Sequence, residues 1–261
     1  MTRAIGVFCS LASLGAAVAA MAWTHRFMGG DLRLFLQPEA LAVVLGGTAA
    51  ALIVSFSLRS RTGAMGAVLR LARRRTPPAD DLVPMFVAFA YTARRHGWGA
   101  IEGEIGRMKD PFLARALTLT VTGHAPDVVR DTLEIESRVS GERDEEHAQV
   151  FDAAARYAPT FGLLGALLGL LRAAQLEAWS AGVSSALAAA LVAIVYGVVL
   201  ASLICQPLAA RLRARARAAA RCRDLTIRGV LVLRDGASPS VVEERLSGYL
   251  SQGRSPLAQV A

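Results

Sequence analysis

Two prolines set in runs without a single acidic or basic side chain are the residues of this sequence with the most chemical consequence. Pro159 stands at the start of the run Ala158 to Leu171, and Pro207 at the end of the run Gly182 to Leu208. Proline removes a backbone donor, so the carbonyls of Ala155 and Leu203 lose their helical partners. Each site is then a bendable polar spot in an apolar setting, or more plainly a kink or helix boundary. Gly162, Gly165 and Gly169, with Ala186, Ala190, Ala193, Gly197 and Ala201, recur at helical spacing, which allows close backbone approach in lipid. Tyr157 and Tyr196 bring hydroxyls to the same region, with interfacial anchoring the plainer role for Tyr157. Neither run supplies an acid or a base of its own. Other chemistry is not offered. Cys9, Cys205 and Cys222 have no metal-ligand spacing, the histidines are scattered, and no phosphate loop or Ser/His/Asp set is present. The chain is read as a non-enzyme without a cofactor or metal.

The elements that position these residues must be membrane helices. Of 261 residues, 54% are hydrophobic and only 19% charged, and mean hydropathy is +0.41, unlike a soluble chain of this length. A spanning helix needs about 20 mainly apolar residues. Four segments qualify: Ile5 to Trp23, Ala40 to Leu58, Ala158 to Ala174 and Gly182 to Leu208.

Arginine orients them, because positive charge beside membrane helices stays on the cytoplasmic side. Arg59, Arg61, Arg70, Arg73, Arg74 and Arg75 follow the second segment, and Arg211, Arg213, Arg215, Arg217, Arg221 and Arg223 the fourth. The connections Thr24 to Glu39 and Arg172 to Ala181 are nearly balanced in charge. Both termini and the long middle loop are therefore expected in the cytoplasm. The net charge of +8 follows from this rule and from attraction to anionic lipid. Nucleic acid is not expected as a partner, since no aromatic platform is interleaved with the arginines.

The middle loop reads as helical. Leu82, Met85, Phe86, Phe89 and Ala93 share one helix face, and a second pattern starts after Pro126 and runs through Phe151. With few breakers after Gly141, the second helix is expected to continue into the third span as one rod. The arginine-rich segment continues as helix to about Leu233 and breaks at Asp235 to Pro239. A tail helix then starts at Ser238 and Pro239, with Ser240 and Glu243 fitting a capping box, and ends near Leu250; Gly253 to Ala261 reads as disordered.

Several stretches, in this order, resemble the MotA family of flagellar stator proteins, within the MotA/TolQ/ExbB superfamily. They are FLQPEALAVVLGGTAAALIVSF (35–56), ARRHGWGAIE (93–102), DPFLARALTL (110–119), YAPTFGLLGALLGLL (157–171), VYGVVLASLICQPLA (195–209) and GVLVLRDGASPSVVEERL (229–246). Two spans before the long loop distinguish this pattern from TolQ and ExbB. The resemblance implies a pentameric ring around a dimer of MotB-like single-span partners, whose helix carries the ion-binding Asp, and a FliG-like rotor met from the cytoplasm.

It also implies site residues. Pro159 matches a functional proline, and Pro207 a second one. Arg94, Arg95 and Glu102 match charged positions of the rotor-contacting surface, although a solvated helix face explains them equally. His96 stands where the family more often has Glu, and Val121 to His124 depart from its Val-Asp-Gly. The threonines of the family's ion path fall on Ala166, Ala193 and Ile194; loss of the first suits a proton rather than sodium, whereas loss of the last departs even from the family's proton-driven members. Tyr196 completes the expected ion-path and partner-contact set.

The sequence is thus read as an all-α polytopic membrane protein with four transmembrane helices and a helical cytoplasmic domain. Residues 1–58 hold spans one and two, 59–156 the cytoplasmic loop, 157–208 spans three and four, and 209–261 a cytoplasmic tail. It is expected in the bacterial inner membrane as the ring subunit of a proton-driven stator. The alternative is a related non-flagellar subunit that energises transport, gliding or another envelope machine.

Overall fold

The computed structural model describes residues 37–73, 79–108, 110–176 and 181–251. Among these the chain is all-helical, with nine α-helices, one π-helical segment and no strand. Two compact units divide it, one of Met1–Arg74 with Glu146–Arg213, the other of Arg75–Glu145 with Ala214–Ala261.

The first unit contains α1 (Pro38–Ser55), α2 (Leu58–Arg73), the apolar half of α6 (Pro126–Ala174), α7 (Ala181–Val199), the π-segment Leu200–Cys205 and the start of α8 (Gln206–Arg234). Pro38 sits at the first position of α1, where its missing N–H costs nothing, and Phe56 ends the helix in an extended conformation. Ser57 then caps α2, its hydroxyl accepting from the Ser60 N–H at 3.2 Å. Three described helices are long and apolar enough to cross a membrane: Pro38–Ser55, Pro126–Ala174 and Gly182–Arg234. They are the second, third and fourth expected spans. The first, Ile5 to Trp23, lies outside the described residues. Leucines on their outer faces are exposed, including Leu45, Leu163, Leu167, Leu171 and Leu191, as lipid contact requires.

The second unit holds α3 (Ala79–His96), α4 (Trp98–Ile105), α5 (Pro111–Val121), the polar half of α6, the rest of α8 and α9 (Pro239–Ser251). Phe86, Ile101, Leu117, Leu133, Leu225 and Leu246 form its fully buried core. Phe86 meets Phe89 edge to face, centroids 6.3 Å apart, and packs on Gly229, where a Cβ would lie 2.8 Å from the ring. The Asp110 carboxylate caps α5 through the Phe112 N–H at 3.0 Å, with Pro111 next. Gly97 ends α3 and Gly236 follows α8, both at positive φ (75° and 71°), a conformation in which glycine carries no Cβ penalty.

The expected rod is present: α6 is a single helix of 49 residues. The break after Arg234 and the start at Pro239 also match expectation. The capping box does not. Ser238, not Ser240, is the N-cap, accepting from the Val241 N–H at 3.4 Å, while Ser240 lies inside the helix and its hydroxyl bonds that of Ser238 at 3.0 Å. Pro239 at the first helical position decides between the two serines. The stretch 253–261 lies outside the described residues.

Candidate functional site

The small-residue stripes of α6 and α7 face each other. A Cβ on Gly162 would lie 2.9 Å from the Ala193 carbonyl oxygen, and one on Gly165 2.9 Å from the Ala193 methyl. At Gly169 it would lie 2.9 Å from the Ala190 methyl, and at Gly197 2.6 Å from the Ala158 oxygen and 3.1 Å from Pro159 Cα. Glycine is required here by contact, not by turn geometry. The seam lets α6 and α7 approach at backbone distance, where dispersion and weak Cα–H···O contacts replace the absent hydrophobic drive of water. Ala193 is fully buried in this seam and Ala166 nearly so, whereas Ile194 and Tyr196 are half-buried. On the α1 side, Gly47 lies under the Phe161 ring and Val43 reaches Gly165.

Pro159 sits where this seam is tightest, with α6 continuous through it. The Ala155 carbonyl, one turn earlier, has no proline N–H to accept from. Ala154, Ala155 and Ala158 of α6 pack with Ala201 and Cys205 of the π-segment, against Leu52 and Leu200. The π-segment ends one residue before Gln206–Pro207, and the Gln206 N–H reaches back to the Ala201 carbonyl. Pro207 therefore follows a widened turn whose bonding is already shifted by one residue, a form that concentrates at functional sites. Pro159 and the π-segment bring irregular backbone to one small-residue cluster. Pro207 itself is exposed.

Hydroxyls and charges line the ends of these helices. Ser55 and Tyr157 share a 3.0 Å hydrogen bond, and the Tyr196 hydroxyl accepts from the Gln37 N–H at 3.4 Å. The Ser60 hydroxyl bonds that of Ser57 at 2.6 Å and donates to Glu146 at 2.5 Å. Buried His147 lies against Gly63, whose missing side chain makes room for the imidazole. Asp152 of α6 is paired with Arg213 of α8. At the opposite end Glu39 and Arg172 meet at 2.8 Å, so the one acid of α1 is at its first turn and not at membrane depth. The Ser60–Glu146 link, His147 and the π-segment were not foreseen from sequence. Serine and histidine there carried no motif, and π-bonding leaves no periodic signature.

In the second unit Arg94, Arg95 and Glu102 are all exposed. Arg94, Arg95 and His96 form the last turn of α3, where cations oppose the negative end of the helix dipole. A shallow hollow of about 320 Å³ is lined by Tyr91, Thr92, Arg95 and His96. These residues are free to meet another surface but form no enclosed site. Among the described residues no group of three His, Cys, Asp or Glu is arranged to hold a metal.

Comparison with known proteins agrees with this arrangement. The chain is 28% identical over 224 residues to Motility protein A of Bacillus subtilis (strain 168), covering 85% of this chain and 83% of that one. It superimposes on the flagellar MotAB stator complex from Bacillus subtilis with a TM-score of 0.79 at 27% identity, covering 94% of both chains. The C. jejuni MotAB structure shares the fold, with a TM-score of 0.83 at 22% identity over 92% of this chain and 94% of that one. Residues 104–224 match the family model described as the MotA/TolQ/ExbB proton channel family. With its glycine seam, its proline-marked spans and these likenesses along nearly its whole length, the protein is a membrane protein that carries a domain of the MotA/TolQ/ExbB proton channel family.

Proposed function

We propose that this chain is the MotA-like ring subunit of a proton-driven flagellar stator in the bacterial inner membrane. Its termini lie in the cytoplasm, and it works with a MotB-like single-span partner whose helix carries the ion-binding Asp. The observation that carries this reading is a pair of spans with a proline, a π-turn and a backbone-tight seam but no acid at membrane depth. Such a surface shapes an ion path without binding the ion itself, so the acid must come from a second chain. Likeness to a MotAB stator over 94% of both chains supports that choice. The names of relatives, Motility protein A of Bacillus subtilis and Chemotaxis protein PomA of Vibrio alginolyticus, favour the flagellar role over another envelope machine.

In this mechanism the partner's Asp lies beside Pro159 and the Ala166 face, with Ile194, Tyr196 and Pro207 completing the path. Ala193, buried in the seam, shapes the path from behind. Partial desolvation raises the pKa of that Asp, so it binds and releases a proton near neutral pH. Each protonation change alters its fit to the proline-marked surface, and a pentameric ring turns in steps around the anchored partner. Arg94, Arg95 and Glu102 meet opposite charges on a FliG-like rotor, which sets encounter and orientation more than affinity. Ala166, Ala193 and Ile194 offer no side-chain oxygen to a sodium ion, whose water shell needs several replacements.

Purification with the partner and a subunit count tests the ring. Flux measured with and without a proton uncoupler, in sodium-free medium, tests the ion. Activity that required sodium and survived collapse of the proton gradient would overturn the assignment. Orientation is tested on a Cys-free background: a cysteine at Leu176 should react with an impermeant reagent from outside and one at Ser238 should not. The reverse pattern would sink it.

A further inference from the structure

Thr48 takes no part in the helix seam, yet its surroundings are unusual. It continues the buried stripe Ala40 and Val44 on α1, is 5% exposed, and its Oγ1 has no hydrogen-bond partner. Helical threonines ordinarily return the hydroxyl to a carbonyl three or four residues back, as Thr62, Thr118, Thr120 and Thr160 do here. A buried hydroxyl left unpaired within a span has no solvent to turn to. One turn further along α1, Leu52 packs on the Ala154, Ala155, Ala158, Ala201 and Cys205 cluster, where Pro159 leaves the Ala155 carbonyl without its usual donor.

We propose that the Thr48 hydroxyl holds a water molecule on the buried face of α1, one helical turn from the Pro159 cluster, and so positions that water for the proton path. The inference rests on the stator reading above and adds to it a residue outside the third and fourth spans. A hydroxyl both donates and accepts, so the water can pass a proton on while taking one up, with no covalent change in the protein. One hydroxyl cannot replace a metal ion's shell, so water is the ligand class that fits.

The test uses the full chain co-expressed with its partner, reading proton flux, membrane level, partner co-purification and thermal stability. Thr48→Val keeps the shape and deletes the hydroxyl. If the water is held there, flux falls about tenfold, the effect of one lost hydrogen bond, while level and co-purification hold. Thr48→Ser should keep flux within about twofold of wild type, because the hydroxyl stays. If Thr48→Val conducts like wild type and gains stability, the hydroxyl is idle and the proposal is overturned; so is it if Thr48→Ser fails as badly as Thr48→Val. Should Thr48→Val not assemble, Thr48→Ala is read by the same criteria. Loss of flux in wild type itself, or flux that survives removal of the partner's Asp, would strike the stator reading rather than Thr48.

Discussion

Gly197 and Gly66 show how differently one residue type behaves in this chain. At Gly197 a side chain would enter the Ala158 carbonyl and Pro159 backbone, which can only yield by pushing α6 from α7. Gly197→Val should therefore cost about 1–3 kcal/mol, the usual range for overpacking, and abolish motility; a thermal melt beside a swimming assay checks both. At Gly66, within α2, a Cβ would meet nothing within 4 Å. Gly66→Ala should stabilise the helix by up to about 1 kcal/mol and leave motility unchanged. The sequence displayed both glycines but not this distinction, since helical spacing marks a stripe without saying what it faces. The same limit hid Thr48. Only the assembled helices decide whether a hydroxyl on α1 points to lipid or to protein.

At the level of elements, the long apolar runs, the 49-residue α6 and the break before Pro239 were legible because each rests on strong local signals. The short helices α4 and α5 were not, as 8 and 11 residues hold only about two and three turns, too few to set a period. The π-segment was also invisible, since Leu200 to Cys205 reads like any apolar helix. Two expectations belong to α9. Ser238→Ala removes its N-cap and should lower stability by about 1 kcal/mol, whereas Ser240→Ala should not, as paired chemical melts would show. Tyr249 anchors the other end, donating to Asp224 at 2.8 Å with Arg228 over its ring. Burial and the Asp224 hydrogen bond raise its pKa from 10.0 to about 12. A raised pKa means that folding favours the protonated phenol, so this contribution is complete below pH 10 and is lost as pH rises towards 12. Protection of α9 amides, taken relative to their intrinsic base-catalysed exchange, should fall across that window in wild type. Tyr249→Phe, which has no proton to lose there, should not show the step.

For the whole molecule, the charged face and the membrane face can be separated by experiment. Arg94→Glu or Glu102→Lys should impair torque or recruitment yet leave membrane level and partner binding intact, because exposed charges contribute little to folding. Full motility with both reversals present would return these residues to an ordinary solvated helix face. The chain expressed without its partner should show no proton flux, and measurable flux would refute the role given to the partner's Asp.

The leucines of α6 have a consequence of another kind. With Gly162, Gly165 and Gly169 consumed in the seam to α7, the helix turns Leu163, Leu164, Leu167, Leu168, Leu170 and Leu171 outward. Acyl chains and leucine are equally apolar, so such a face gains little by choosing one apolar neighbour over another. It is a lubricated face, without teeth. A ring that turns as proposed above needs an energy profile nearly flat along the turn, and a carpet of interchangeable methyl groups gives one. Leucine-to-isoleucine or leucine-to-methionine exchanges on this face should pass unnoticed, while a single glycine or serine that invites a close, fixed contact should act as a brake.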